Sequence, residues 1–193
     1  MCGVSYILDQ EKDKQMKKLE EYIRSIVDFP EKGIIFRDIT SILQDADGLA
    51  LAIDGIRKEI KDLDYDLIVG PESRGFIFGV PVAYAEHKPF IPIRKEGKLP
   101  CETIGVEYEL EYGKAKLEIH KDAIKKGQKV VIVDDLIATG GTTKAMVDLI
   151  EKLGGEVVKL MFIIELKGLK GRDKIKGYDA TSLVSYEGKE FKY

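Results

Sequence analysis

Apolar positions in this chain recur first at helical spacing. Met16, Leu19, Ile23 and Ile26 stand 3, 4 and 3 residues apart, which predicts a helix. Asp28-Phe29-Pro30 ends it, because the residue before a proline is pushed out of the helical region. A second helix is marked by Asp47 as N-cap and by Leu49, Ile53, Ile56, Ile60 and Leu63. Leu67–Val69 then reads as a short buried strand, closed by Gly70-Pro71, and residues 75–87 as a helix that carries Pro81. Phe90–Ile93 is a strand with Pro92 inside it, which predicts an edge or a bulge.

Beyond it the period changes. Residues 106–112 and 115–119 alternate in part and meet at Gly113, the pattern of a hairpin, and a helical turn is expected near residues 122–126. Lys129–Val133 reads as a buried strand, Thr142–Leu153 as a helix stopped by Gly154-Gly155, and residues 157–164 and 181–186 as strands. Strands alternating with helices predict an α/β fold, a parallel sheet covered on both faces. Ligands on such sheets bind at the carboxyl ends of the strands. Residues 1–15 are polar and weakly patterned, so the expectation is an N-terminal extension followed by one domain over 16–193.

Composition narrows the classes. With 31 Lys+Arg against 34 Asp+Glu among 193 residues the net charge is −3, which argues against a basic face for a nucleic-acid polymer but not against a small anion pocket. The longest near-apolar run, residues 76–85, is about half of the roughly 20 that a spanning helix needs, so no membrane partner is expected. The N-terminus lacks the basic region of a signal peptide. Cys2 and Cys101 form no C-x-x-C and have two histidines for company, which speaks against a zinc site and for free thiols in a cytoplasmic protein.

The densest chemistry lies in Val130 to Thr143. An apolar strand delivers Asp134 and Asp135 to its carboxyl end, and a small-residue loop opens at once into a helix. Gly140 and Gly141 let backbone N–H groups approach a ligand, Thr139, Thr142 and Thr143 add hydroxyls, and the helix N-terminus adds partial positive charge. Together they make a phosphate cradle, without the spacing of a Walker A loop or a G-x-G-x-x-G. Two carboxylates beside a phosphate site suit sugar hydroxyls or metal-bound water, so the pattern points to a ribose phosphate with Mg²⁺.

This stretch resembles the 5-phosphoribosyl-diphosphate (PRPP) signature of the type I phosphoribosyltransferases. Three further segments resemble the adenine phosphoribosyltransferases in particular: Phe29-Pro30-Glu31-Lys32-Gly33-Ile34-Ile35-Phe36-Arg37-Asp38, Glu72-Ser73-Arg74-Gly75-Phe76, and Arg94-Lys95-Glu96-Gly97-Lys98-Leu99-Pro100 with Leu110-Glu111-Tyr112-Gly113. The resemblance implies a twisted, mainly parallel sheet flanked by helices, with a small β hood and a flexible catalytic flap at about 95–113. It implies that Asp134 and Asp135 hold the ribose, that Ala138, Thr139, Gly140, Gly141 and Thr142 grip the 5′-phosphate, and that Ser73, Arg74, Lys95 and Lys98 meet the diphosphate. Ile35, Phe36, Arg37 and Leu136 would form the adenine site, Phe36 as its stacking face. Glu111 would act near N7 of the base, beside Arg74 as the second catalytic group, and Tyr112 would help to close the flap.

The activity so implied is purine salvage, with AMP and diphosphate made from adenine and PRPP. Mg²⁺ would be held mainly through PRPP and water, and the family suggests a homodimer. A phosphoribosyltransferase for hypoxanthine, guanine or xanthine is the enzymatic alternative. A PRPP-sensing regulator that binds DNA or RNA is the non-enzymatic one.

Overall fold

The computed structural model describes residues 17–109 and 114–187. The N-terminal extension 1–15, Met16, and residues 110–113 with Glu111 and Tyr112 lie outside the described residues. The chain builds β1 (Arg24–Val27), β2 (Ile35–Asp38), α1 (Ala46–Ile60), β3 (Leu67–Pro71), α2 (Arg74–Ala85), β4 (Phe90–Lys95), β5 (Thr103–Glu109) and β6 (Lys114–His120). It continues with β7 (Lys129–Ile137), α3 (Gly141–Lys152), β8 (Glu156–Leu166) and β9 (Ala180–Tyr186).

Seven strands form one sheet in the order β5-β6-β4-β3-β7-β8-β9. The five from β4 to β9 run parallel, and the β5–β6 hairpin joins antiparallel to the end of β4. This is the expected α/β architecture with its β flap. Buried side chains of β7 alternate between two cores. Val131 and Val133 pack with Ile56 and Ile60 of α1 and Phe78 and Val82 of α2. Val130 and Ile132 pack on the other side with Met146, Leu149 and Ile150 of α3. A strand covered on both faces reads as a continuous apolar run, and so it does here.

Several boundaries differ from expectation. The stripe from Met16 to Ile26 is not one helix: a 3-10 turn spans Leu19–Tyr22, and β1 follows at once. Ile23, Ile26 and Val27 are β-branched, and antiparallel pairing of Arg24–Val27 with Ile35–Asp38 outweighs the weak helical period. This small hairpin is the hood. The cap of α1 is Asp45 rather than Asp47, its carboxylate accepting the N–H groups of Asp47 (2.9 Å) and Gly48 (3.3 Å).

The Pro92 strand is interior in the sheet order, not at its edge. It is tolerated because β6 pairs with β4 only at Arg94 and Lys95, which leaves Pro92 with β3 as its one partner. The helical turn expected at 122–126 is a run of turns and bends. Pro81 is carried inside α2 without ending it.

Candidate active site

The carboxyl ends of β3 and β7, neighbours in the sheet, each run directly into a helix N-terminus, α2 from Arg74 and α3 from Gly141. Aligned peptide dipoles place partial positive charge at both points. Between them opens a cleft of about 360 Å³, lined from three directions. Ser73 and Arg74 come from the β3–α2 loop; Asp134, Asp135, Leu136, Ala138, Thr139, Gly140, Gly141 and Thr142 come from the β7–α3 segment; Lys95 comes from the base of the flap. These residues span positions 73 to 142 of the sequence, and the parallel pairing of β3 with both β4 and β7 brings them together.

The loop conformation follows from its glycines. Gly140 caps α3 at φ +75°, a left-handed conformation that side chains disfavour. The first turn of α3, residues 141–143, lines the cleft, and an anion is the natural partner for the free N–H groups of a helix start. Thr143 also lines the cleft and is buried.

The acids are buried at 7% (Asp134) and 3% (Asp135) exposure. Asp134 Oδ1 accepts the Asp135 N–H at 2.8 Å. Burial, and then the neighbouring Asp135 charge, push the Asp134 carboxyl well above the usual carboxylate range. Burial also raises Asp135, against the opposing pull of Arg74. Arg74 Nε stands 2.8 Å from Asp135 Oδ2, yet that buried oxygen accepts no directed hydrogen bond among the described residues. The contact is an ion pair that offsets part of the cost of burying the Asp135 charge.

The three flap cations divide in their roles. Arg94 is structural: its Nε donates to Glu72 Oε2 at 2.7 Å and its Nη1 to the Lys98 carbonyl at 2.9 Å. Glu72 also accepts the Lys95 N–H at 3.0 Å, so it ties the flap base to the β3–α2 loop. Burial would raise Glu72, but the Lys95 N–H and Arg94 overcome it and hold the carboxyl low. Lys95 lines the cleft, whereas Lys98 is exposed outside the lining.

The hood residues also stand apart from this lining. Ile35, Phe36 and Arg37 are half-buried on β2. Phe36 meets Phe29 edge-to-face at 5.3 Å between centroids, beside exposed Val27 and Ile34. Arg37 stacks on the Tyr186 ring at 3.8 Å and donates to Ser25 Oγ. Pro71, Glu72, Tyr108 and Leu117 line the cleft as well. Sequence reasoning gave them no role. The alternation of Ile104, Val106 and Tyr108 along β5 is the signal that could have found Tyr108.

A family model described as "Phosphoribosyl transferase domain" matches residues 38–191. An adenine phosphoribosyltransferase from Lachnoclostridium phytofermentans is 67% identical over 174 residues, 90% of this chain and 100% of that protein. The chain belongs to the adenine phosphoribosyltransferase family. Solved structures of adenine phosphoribosyltransferases agree. That from Thermoanaerobacter pseudethanolicus matches with a TM-score of 0.83 at 53% identity, covering 88% of this chain and 100% of its own. That from Saccharomyces cerevisiae, complexed with an imino-altritol bisphosphate and adenine, matches at 0.80 and 39%, covering 86% and 96%. As an adenine phosphoribosyltransferase family member, the chain is a pentosyl-transferring enzyme, and the β7–α3 cleft is where its sequence signature falls.

Proposed function

We propose that this enzyme forms AMP and diphosphate from adenine and PRPP, with the β3/β7 cleft as its reaction site. The observation that carries the reading is the convergence of two helix N-termini, Arg74 and the buried Asp134–Asp135 pair on one cleft. The N–H groups and hydroxyls of 138–142 take the 5′-phosphate, and Asp134 and Asp135 accept the ribose hydroxyls. Ser73, Arg74 and Lys95 meet the diphosphate, with Lys98 joining from the flap. N9 of adenine bonds to the anomeric carbon while the carbon–oxygen bond to diphosphate breaks, its electron pair leaving with the diphosphate. Positive charge grows on the ribose ring in that step, so positioning and fixed charges supply most of the acceleration.

Adenine lies against the hood, with Phe36 as the stacking face and Ile35, Arg37 and Leu136 around it. An aromatic face beside a polar backbone suits a purine. Glu111 takes the N7 proton of the base, and Tyr112 helps the flap to shut out water. Mg²⁺ arrives with PRPP. Among the described residues no three His, Cys, Asp or Glu side chains form a metal-holding group, and Glu72 is committed to Arg94 and Lys95. Such an ion would be held mainly through phosphate oxygens and water. When bound, it would neutralise charge on the departing diphosphate.

The working unit we propose is a homodimer. Tyr84 and Val80 support it, because they leave α2 an exposed apolar face at 88% and 46% exposure. Light scattering that gives a monomer would remove that element. No helix among the described residues is long and apolar enough to cross a membrane. The cytoplasm is the compartment we propose, since an exposed free thiol at Cys101 suits reducing surroundings.

Incubation of the purified protein with adenine, PRPP and Mg²⁺, followed by phosphorus NMR, tests the reaction. AMP and diphosphate in equal amounts support it; PRPP left unchanged, or hydrolysed without AMP, overturns it.

A further inference from the structure

The connector between β8 and β9 takes no part in the reaction above, yet it abuts the phosphate loop. Gly171 is buried at the start of a short 3-10 turn, Gly171–Ile175. A Cβ on Gly171 would stand 2.4 Å from the Ala138 carbonyl oxygen and 3.0 Å from the Gly140 nitrogen. The fit is reciprocal, because a Cβ on Gly140 would stand 2.3 Å from the Gly171 carbonyl oxygen. Two backbones therefore touch at a separation that no side chain permits, and one of them is the loop that faces the cleft.

The next residue anchors this contact. Arg172 Nε and Nη2 donate to the two oxygens of Glu165, near the end of β8, at 2.8 and 2.7 Å. Its Nη1 donates to the Ala180 carbonyl, at the start of β9, at 2.6 Å. Glu165 is buried at 7% exposure. The guanidinium is thus spent on the sheet, and it works as a brace rather than as a phosphate ligand. A bidentate pair of this kind fixes orientation as well as distance.

We propose that Gly171 is a positioning residue of this enzyme: it sets the height of the 138–142 loop over the sheet, and with it the grip on the 5′-phosphate. Arg172, through Glu165, holds Gly171 at that height. The inference rests on the reading that residues 138–142 take the 5′-phosphate. Ordinary contact begins at 3.4 Å, so a methyl at Gly171 would displace the loop or the connector by about 1 Å. A shift of that size misdirects N–H groups whose hydrogen bonds to a charged ligand are sensitive to angle.

Gly171→Ala tests this directly, with Arg172→Lys as the milder variant that keeps the charge and loses the two-pronged bond. Circular dichroism and a thermal melt establish that each variant folds. Calorimetric binding of ribose 5-phosphate, without turnover, then reads the loop alone. Gly171→Ala should weaken ribose 5-phosphate at least roughly tenfold and raise the KM for PRPP in step, while the KM for adenine stays within about twofold. Arg172→Lys should move the same two quantities in the same direction by a smaller factor. Folded variants that bind ribose 5-phosphate as tightly as the wild type overturn the inference and leave the loop's role standing. Should Gly171→Ala fail to fold, an unchanged affinity in Arg172→Lys overturns it by itself. A wild-type protein that makes AMP but does not bind ribose 5-phosphate removes the loop's role, and the inference with it.

Discussion

Asp134→Asn should make the unliganded protein more stable and the enzyme much worse. Asp134 is 7% exposed, lies next to a second buried acid, and has its own carboxyl pushed well up by burial and by Asp135. The amide oxygen of asparagine keeps the acceptor for the Asp135 N–H, which stands at 2.8 Å from Oδ1. It removes the charge that the interior penalises. Neutralising such a site is worth on the order of 1–3 kcal/mol at neutral pH. For a chain of this size that is roughly 2–4 °C of Tm per kcal/mol.

The pH dependence has a definite sign. The native Asp134 carboxyl holds its proton more tightly than the unfolded one, whose pKa is about 3.8. Between these two values the native state binds more protons, so the Asp134 contribution to stability falls as pH rises. The Tm of the variant minus that of the wild type should therefore be near zero at acid pH and grow toward pH 7. Steady-state kinetics supply the other half of the test. Loss of a charge-assisted bond to the ribose should lower kcat/KM for PRPP by about tenfold to a hundredfold. A variant less stable than the wild type at pH 7, with a pH-independent difference, would refute the electrostatic reasoning.

Other perturbations separate the remaining parts. Arg74→Ala should leave Asp135 buried beside no cation, destabilising the fold and lowering kcat/KM for PRPP at least roughly tenfold; unchanged PRPP kinetics would remove Arg74 from the diphosphate site. Glu111→Gln should cut kcat by about a hundredfold, and near-wild-type kcat would reduce Glu111 to orienting the base. Chelation by EDTA should abolish AMP formation, and added Mg²⁺ should restore it; full activity in EDTA would exclude the metal. Glu165→Gln should lower Tm at neutral pH, with the difference fading as pH falls, because Arg172 holds that carboxyl low and its stabilisation is lost once the carboxyl is protonated.

The parts of the fold legible in the chain were those set by local rules. The β7–α3 segment announces itself because a doubly covered strand, two acids and a glycine cap follow one another without interruption. The hood was misread because Ile23 and Ile26 fit a helical period although both are β-branched, which favours a strand. What decided between them was pairing with β2, a partner whose register no local pattern specifies. The cap of α1 slipped by two residues for a similar reason: Asp45 and Asp47 are both good N-caps, and geometry selects the first.

The cleft shows the same division. Arg74 and Asp135 are 2.8 Å apart because β3 and β7 are adjacent in the sheet, which no spacing along the chain specifies. Arg94 stands in one run with Lys95 and Lys98, but its partner, Glu72, lies on another element. Gly171 carried no signal, since a glycine needed for a close approach resembles any other glycine until its neighbour is known. Electrostatic commitments and backbone contacts are pairwise, and a single sequence displays only one member of each pair at a time.

The central claim is that this cleft transfers the phosphoribosyl group to adenine in preference to other purines. The most direct measurement is a competition in which adenine, hypoxanthine, guanine and xanthine, at equal concentration, share a limiting amount of PRPP with Mg²⁺ present. The account predicts AMP as the dominant nucleotide, because a site that pairs with the amino edge of adenine leaves buried groups unpaired against a keto purine. IMP, GMP or XMP in excess over AMP would contradict it.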